Sequence, residues 1–172
     1  TGIGTDNIDI VLNEIDALYN VDWETACIKD HLTPLTFIRI GTSGSIRSEI
    51  PVDSFVLCKA AIGLDSLMQY YERIIHPIEF EISHYFEKYI TRIPAMYFAP
   101  ANDQLLQHFS NSEFIQGVCV TAPGFYGPQG RYMRARPKYL NLIEGLSGCE
   151  IPGLGAITNL EMETAGIYSL SE

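Results

Sequence analysis

The amino-acid sequence predicts a single α/β domain, built on a mixed central β-sheet that is flanked by helices. Two observations carry this prediction. Short apolar runs rich in β-branched residues alternate along the chain with segments whose apolar residues recur at helical spacing. The length of 172 residues, with 47% hydrophobic and 19% charged residues, is typical of about one globular domain and excludes a disordered chain.

The first part of the chain predicts one helix and one buried strand. Apolar side chains on one face of residues 6–18 predict the helix, with Asp6 as its N-cap. Residues 20–34 are polar and predict a connector. The apolar run at residues 35–40 ends at Gly41, which predicts a buried strand, and the glycine-rich residues 41–45 predict a turn.

The middle of the chain predicts two strands and two helices around a long loop. In order, these are a strand at 55–58, a partly helical loop at 62–77, a helix at 79–90, a strand at 96–99 and a helix that ends at Phe109. Asn102 or Asp103 is predicted to cap the second helix.

The last part of the chain continues the same alternation. It predicts a strand at 114–121, a turn-rich segment at 122–131, a short helix at 137–147, a strand at 157–160 and a helix at 161–169. Ligands of open α/β sheets bind at the carboxyl ends of the strands, so we expect the functional residues in the segments that follow strands.

Charge and cysteine usage exclude several classes of protein. The 11 Lys and Arg residues against 21 Asp and Glu residues give a net charge of −10, which argues against binding to nucleic acids or anionic membranes. No stretch approaches 18 consecutive apolar residues, as a transmembrane helix requires. The scattered cysteines indicate reduced, mostly buried thiols and a cytoplasmic protein; they are Cys27, Cys58, Cys119 and Cys149.

Two candidate site segments combine glycines with potential anion ligands. Residues 1–4, Thr-Gly-Ile-Gly, precede the first predicted helix, where the backbone can approach an anion; an ordinary turn is the alternative. Arg39 at the end of an apolar run needs an anionic partner, either a phosphate or an internal carboxylate. Thr42 and Ser43, with the backbone of Gly44, add hydrogen-bond donors that complete a plausible phosphate cradle.

Two further segments offer groups for a planar ring and for hydroxyls. Phe125, Gln129 and Arg131 combine a stacking face, an amide and a guanidinium, which suit the edge of a heterocycle; a solvated loop is the alternative. Glu161 and Glu163 flank Met162 at a strand-to-helix junction, where carboxylates can accept hydrogen bonds from sugar hydroxyls. The alternative is a pair of acids that stabilise a helix N-terminus.

These four segments occur together in an order that resembles the nucleoside phosphorylase superfamily, and within it the uridine phosphorylases. The resemblance runs along the whole chain, and its most specific part is the pairing of Arg-x-Gly-Thr-x-Gly at residues 39–44 with Glu-Met-Glu at 161–163. It implies a three-layer fold and the phosphorolysis of uridine to uracil and ribose 1-phosphate. Inorganic phosphate is then a co-substrate, and neither a metal nor an organic cofactor is expected.

The resemblance also implies roles for individual residues. Arg39 and Thr42 match the phosphate contacts of the family. The positions that match its ribose and base contacts are Ser43, Gly44, Phe125, Gln129, Arg131, Glu161, Met162 and Glu163. The implied catalytic residues are Arg39, Thr42, Arg131 and Glu163. Purine-specific relatives lack the Gln and Arg pair, and the two carbonyl oxygens and one N–H of uracil suit an arginine fork beside an amide.

The sequence departs from the family pattern at both ends. The Gly-Asp-Pro-x-Arg phosphate loop of the family, and an arginine that a neighbouring subunit supplies, would precede Thr1. Further sheet and lid elements would follow Glu172. We therefore expect residues 1–172 to form one domain that lacks its N- and C-terminal parts, in a homodimer or hexamer with shared active sites.

Three alternative functions remain open at this point. The first is a purine nucleoside phosphorylase, against which Gln129 and Arg131 argue. The second is a nucleosidase that uses water, against which Arg39 and Thr42 argue. The third is a non-catalytic nucleoside-binding homologue, which the missing phosphate loop favours.

Overall fold

Five α-helices and eight strands make up the regular structure of the residues that the computed structural model describes, which are 3–90, 96–110 and 113–172. The helices are α1 (Thr5–Asn20), α2 (Ile78–Phe86), α3 (Asp103–Phe109), α4 (Leu142–Ser147) and α5 (Thr164–Leu170). The strands are β1 (Val21–Asp22), β2 (Cys27–Ile28), β3 (Gly44–Ser45), β4 (Phe55–Gly63), β5 (Tyr97–Pro100), β6 (Phe114–Thr121), β7 (Glu150–Ile151) and β8 (Gly155–Glu161). Short 3-10 turns lie at Leu67–Gln69 and Gly127–Gln129.

The central sheet is mixed, as the sequence predicts. Its strand order is β3-β8-β6-β4-β5, with β7 beside the start of β8, and β1 pairs with β2 in a separate hairpin. Strands β4, β6 and β8 run parallel, whereas β3, β5 and β7 are antiparallel to their neighbours. The register places Thr121 opposite both Gly63 and Glu161, so the carboxyl ends of the three parallel strands meet at one edge.

Helices cover both faces of this sheet and give three layers. On one face α2 and α4 bury Phe86 and Leu146 in the larger core, and on the other α5 packs Ala165 against Tyr97 and Cys119. Helix α1 lies against α5 through apolar side chains. Because the central strands are buried on both faces, β6 carries the continuous apolar run that the sequence shows.

Several predicted elements agree with the structure to within a few residues. Strand β6 has the predicted bounds, and Asn102 caps α3 by accepting the backbone N–H groups of Gln104 and Leu105, each at 3.1 Å. Helix α1 matches the first predicted helix, but Asp6 is not its cap. The N-cap is Gly4, whose φ of 98° is left-handed, and no side chain caps this end.

The predicted buried strand at residues 35–40 is wrong. These residues have no regular secondary structure, and Ile38 and Ile40 are 56% and 95% exposed. The next residues, predicted as a turn, instead contain β3, in which Gly44 pairs with Leu160. A strand exists only where a neighbouring strand accepts its hydrogen bonds, and an apolar run does not identify that neighbour.

The remaining differences concern element ends. Strand β4 extends through Ile62 and Gly63, so the predicted loop begins later; α2 stops at Phe86, and α4 begins only at Leu142. All four cysteines are free, but only Cys119 and Cys149 are buried. Burial raises the pKa of the Cys149 thiol to about 11. Within the described residues, no helix combines the length and the hydropathy that crossing a membrane requires.

Candidate active site

A cavity of about 780 Å³ opens where β8 ends and α5 begins, with α1 as part of its wall. This volume lies in the range of small-molecule sites. Every residue that the sequence singled out as a site residue lines it: Arg39, Thr42, Ser43, Gly44, Phe125, Gln129, Arg131, Glu161, Met162 and Glu163. Three distant segments of the chain therefore meet in one place, and Ile3 of the fourth candidate segment also lines the cavity.

Arg39 forms an ion pair with the acids of another candidate segment. Its Nη2 donates to Glu163 Oε2 at 2.6 Å and lies 3.4 Å from Glu161 Oε2. Burial lowers the pKa of the Arg39 guanidinium, but the two carboxylates outweigh burial and the net pKa is raised. Of the two partners that the sequence left open for Arg39, internal carboxylates are the ones it contacts here.

Glu163 is held from its other side by the backbone of Gly4. The N–H of Gly4 donates to Glu163 Oε1 at 2.9 Å. The left-handed φ of Gly4 permits this approach, and a Cβ at this position would lie 2.7 Å from an oxygen of Asp6. The sequence predicts that the backbone of residues 1–4 approaches an anion, and for Gly4 this anion is the carboxylate side chain of Glu163. Thr1 and Gly2 lie outside the described residues.

Glu161 is buried and holds the start of α5 together. Its Oε2 accepts the backbone N–H groups of Glu163 at 2.8 Å and Thr164 at 2.7 Å, as well as the Thr164 hydroxyl at 2.7 Å. Its Oε1 accepts the hydroxyl of Thr121. The contacts of Glu161 fit the alternative that the sequence left open, an acid at a helix N-terminus.

The two threonines around Glu161 are functional candidates that the sequence reasoning missed. Thr121 and Thr164 are 0% and 4% exposed, although both are polar. One signal for Thr121 was available, because a threonine that ends a buried strand needs a hydrogen-bond partner. The identity of that partner follows only from the parallel register of β6 and β8.

Phe125, Gln129 and Arg131 form a second group on the cavity wall. Arg131 Nη1 donates to the carbonyl oxygen of Phe125 at 3.1 Å and to Gln129 Oε1. The Arg131 guanidinium carbon lies 4.3 Å from the centroid of the Phe125 ring, a cation–π contact. Gln129 is only 4% exposed and Arg131 is partly buried, so these two polar side chains are not merely solvated as in the alternative interpretation, whereas Phe125 is 53% exposed.

Gly44 provides the space in which the Arg131 guanidinium lies. A Cβ on Gly44 would come within 2.8 Å of Arg131 Nη2. The backbone of Gly44 in β3 therefore packs directly against the side chain of Arg131 in the 122–131 segment. Arg39 and Arg131, both cationic, thus line one cavity of a protein whose net charge is −10.

Comparison with known proteins gives consistent matches over nearly the whole chain. A family model described as the phosphorylase superfamily matches residues 1–172. The uridine phosphorylase of Thermococcus kodakarensis is 26% identical over 176 aligned residues. The nucleoside phosphorylase of Trypanosoma brucei, whose crystal structure is described as showing uridine phosphorylase activity, superposes with a TM-score of 0.82 at 29% identity.

The matched relatives are longer than this chain. The alignments span 99% of this chain in both cases, but 50% of the Thermococcus protein and 64% of the trypanosomal chain. A third match is a structure from work on two uridine phosphorylases of the oomycete Phytophthora capsici. The superposition has a TM-score of 0.55 at 22% identity and covers 98% of this chain and 56% of the oomycete chain, so it shows similarity of fold alone. The matches confirm the predicted resemblance and the predicted sheet flanked by helices.

Proposed function

The chain belongs to the phosphorylase superfamily, and we propose that the protein cleaves uridine with inorganic phosphate to give uracil and ribose 1-phosphate. The single observation that carries this proposal is the meeting of two groups in one cavity. The Arg39–Glu163 pair is suited to phosphate and ribose, and the group of Phe125, Gln129 and Arg131 is suited to a pyrimidine. The uridine phosphorylase relatives in Thermococcus and Trypanosoma support the choice of substrate.

Phosphate is proposed to bind to Arg39 with Thr42. The guanidinium has five N–H groups, and an N–H of Nη2 donates to Glu163. The other N–H groups leave Arg39 able to hold a phosphate oxygen while it keeps its carboxylate partner. Thr42 lines the same cavity and adds a hydroxyl, and Ser43 adds another beside it. Phosphate held here can attack the anomeric carbon of a nucleoside bound next to it.

The ribose is proposed to bind to Glu163 and Met162, with Glu161 behind them. Each carboxylate oxygen of Glu163 accepts one hydrogen bond, from Gly4 or from Arg39, and retains a lone pair for a sugar hydroxyl. As the glycosidic bond breaks, positive charge develops on the ribose. The negative charge of Glu163 favours that state, because it interacts more strongly with the transition state than with the substrate.

Uracil is proposed to bind to Gln129 and Arg131 beside the ring of Phe125. The leaving base gains negative charge as the bond breaks. A guanidinium that donates to a uracil carbonyl therefore binds the transition state more tightly than the substrate. The protein uses these side chains and phosphate, and the proposed reaction needs no organic cofactor and no metal.

The protein is further proposed to act in the cytoplasm as a homodimer or hexamer with shared sites. Apolar side chains at the mouth of the cavity support the assembly. Ile3, Ile38 and Ile40 line the cavity, yet they are 71%, 56% and 95% exposed. Exposed apolar residues grouped at one site are typical of surfaces that a partner covers.

A substrate panel tests the proposed reaction. Purified full-length protein is incubated with uridine, thymidine and inosine, with and without phosphate, and the free base is measured by chromatography. We expect uracil release that depends on phosphate and exceeds hypoxanthine release from inosine by about 100-fold or more, because unpaired polar groups in the site penalise the wrong base. Base release without phosphate would favour a nucleosidase. A preference for inosine would favour a purine nucleoside phosphorylase, and no release of any base would favour a non-catalytic binding protein.

Gly44→Ala is predicted to weaken nucleoside binding without unfolding the protein. The new methyl group would displace the Arg131 guanidinium, so we expect KM for uridine to rise about tenfold, the effect of about one weakened charged hydrogen bond. Gly127→Ala is the matched control, because a Cβ at Gly127 meets no atom within 4 Å. Equal KM values for the two variants would contradict the proposed arrangement; steady-state kinetics and thermal melting measure both effects.

A further inference from the structure

Thr121 carries a buried hydroxyl that the proposed reaction does not use. It is the last residue of β6 and is 0% exposed. Its Oγ1 accepts the backbone N–H of Ala165 in α5 at 2.8 Å and donates to Glu161 Oε1. The hydroxyl therefore joins three elements, β6, β8 and α5, directly behind the candidate site.

Glu161 passes this restraint on to Glu163. One carboxylate oxygen of Glu161 contacts Thr121, and the other accepts the backbone N–H of Glu163 at 2.8 Å. Both Glu161 and Thr121 are almost fully buried, so no water replaces a lost hydrogen bond without cost. The position of the Glu163 backbone is thus connected to the Thr121 hydroxyl through one carboxylate.

Arg39 makes the orientation of Glu161 matter. Its guanidinium lies 2.6 Å from Glu163 Oε2 and 3.4 Å from Glu161 Oε2, so two acids compete for one cation. The Thr121 hydroxyl restrains Glu161 through Oε1, whereas Arg39 lies near Oε2. Without that restraint, only the bonds from Glu163 and Thr164 to Oε2 hold the Glu161 carboxylate, and its freed Oε1 can compete with Glu163 for the guanidinium.

We propose that Thr121 is a positioning residue for the candidate active site: its hydroxyl orients Glu161, and Glu161 in turn sets the backbone of Glu163 and leaves Arg39 paired with Glu163. The functional consequence rests on the proposed role of Glu163 in ribose binding. The structural coupling from Thr121 through Glu161 to Glu163 does not depend on that role. The coupling and its effect on ribose binding are therefore measured in separate experiments.

The functional measurement compares three variants of the full-length protein. Thr121→Val removes the hydroxyl at nearly constant volume, and Thr121→Ser keeps it. Thr158→Val is the matched control, because Thr158 is a 4% exposed threonine of β8 whose hydroxyl bonds to Val118 and Asn159, away from Glu161. Calorimetry with uridine in the absence of phosphate gives Kd, and steady-state kinetics gives kcat and KM.

The proposal expects Thr121→Val to weaken uridine binding about tenfold to hundredfold, the range of a hydrogen bond to a charged group. Thr121→Ser should return Kd to within about threefold of the wild type. Thr158→Val should leave Kd within about twofold of the wild type, although the loss of its buried hydroxyl should lower the melting temperature, as in Thr121→Val. Equal losses in Thr121→Val and Thr158→Val, or no rescue by Thr121→Ser, would overturn the proposal.

Amide hydrogen exchange tests the coupling without any ligand. In Thr121→Val, the amides of Glu163, Thr164 and Ala165 should exchange at least about tenfold faster, because their acceptors are lost or freed. The amide of Val118, inside β6, should keep its wild-type rate. Faster exchange at Ala165 alone would overturn the coupling. If the wild type does not cleave uridine, the proposed function fails, and this exchange pattern still decides the role of Thr121.

Discussion

Glu163→Gln is expected to lower kcat/KM for uridine by about 100- to 1,000-fold, the usual effect of removing one group that stabilises transition-state charge. The substitution keeps the shape of the side chain and an oxygen that can accept the Gly4 N–H. It removes the charge that, in the proposed reaction, faces the developing positive charge on the ribose. We expect the loss to fall mainly on kcat, because the charge interaction grows as the glycosidic bond breaks.

The stability of the Glu163→Gln variant should change much less than its activity. Arg39 loses one carboxylate partner but keeps Glu161 at 3.4 Å, so the free energy of unfolding should fall by only about 1–2 kcal/mol. Urea denaturation measures this value, and steady-state kinetics measures kcat and KM separately.

Glu79→Gln is the matched control for the loss of an arginine–glutamate pair. Glu79 is 6% exposed and accepts from Arg73 at 2.6 and 2.8 Å, and neither residue lines the cavity. This variant should lose a similar free energy of unfolding and retain wild-type kcat/KM. A comparable loss of activity in both variants, or wild-type activity in Glu163→Gln, would rule out the proposed role of Glu163.

Arg131→Ala should also lower kcat/KM for uridine by about 100- to 1,000-fold, because it removes the positive charge that faces the leaving base in the proposed reaction. Its hydrogen bonds are local, to Phe125 and Gln129 within the same loop, outside the loop it packs against the backbone of Gly44, and the side chain is partly exposed. We therefore expect the free energy of unfolding to change by less than about 1 kcal/mol. Arg131→Lys should recover only part of the activity, because lysine keeps the charge but loses the planar fork.

Arg134→Ala controls for the loss of a positive charge near the site. Arg134 follows Arg131 by three residues in the chain, just after the 122–131 segment, and is exposed to solvent. The Arg134 variant should turn over uridine at the wild-type rate in the same assay. If Arg131→Ala loses stability in proportion to activity, Arg131 has a structural role and the assignment to uracil fails.

Local patterns were sufficient to predict much of the fold. Strand β6 follows from the apolar run at 117–120 together with Phe114 and Ile115 before it, and the start of α3 follows from an asparagine whose side chain satisfies two free N–H groups. Both signals lie within a few residues of the structure that they specify. The 35–40 segment has an equally apolar run, but what decides its state is a neighbouring strand elsewhere in the chain.

In the candidate site, too, the residue types follow from the sequence, whereas the contacts between them follow from the tertiary structure. The sequence by itself determined that Arg39 needs an anionic partner, since an arginine in an apolar run is costly to bury alone. It also singled out Phe125, Gln129 and Arg131 by residue type. Every residue chosen in this way lines one cavity, because each follows or precedes a strand of the same sheet.

Only the tertiary structure decided which of these groups contact each other. Arg39 and Glu163 are separated by 124 positions, and Thr121 and Glu161 by 40, yet each pair lies within hydrogen-bond distance. Residue types state which polar groups need a partner when they are buried. The register of the parallel strands and the path of the loops choose that partner, because hydrogen bonds depend on distances in space and not on separation along the chain.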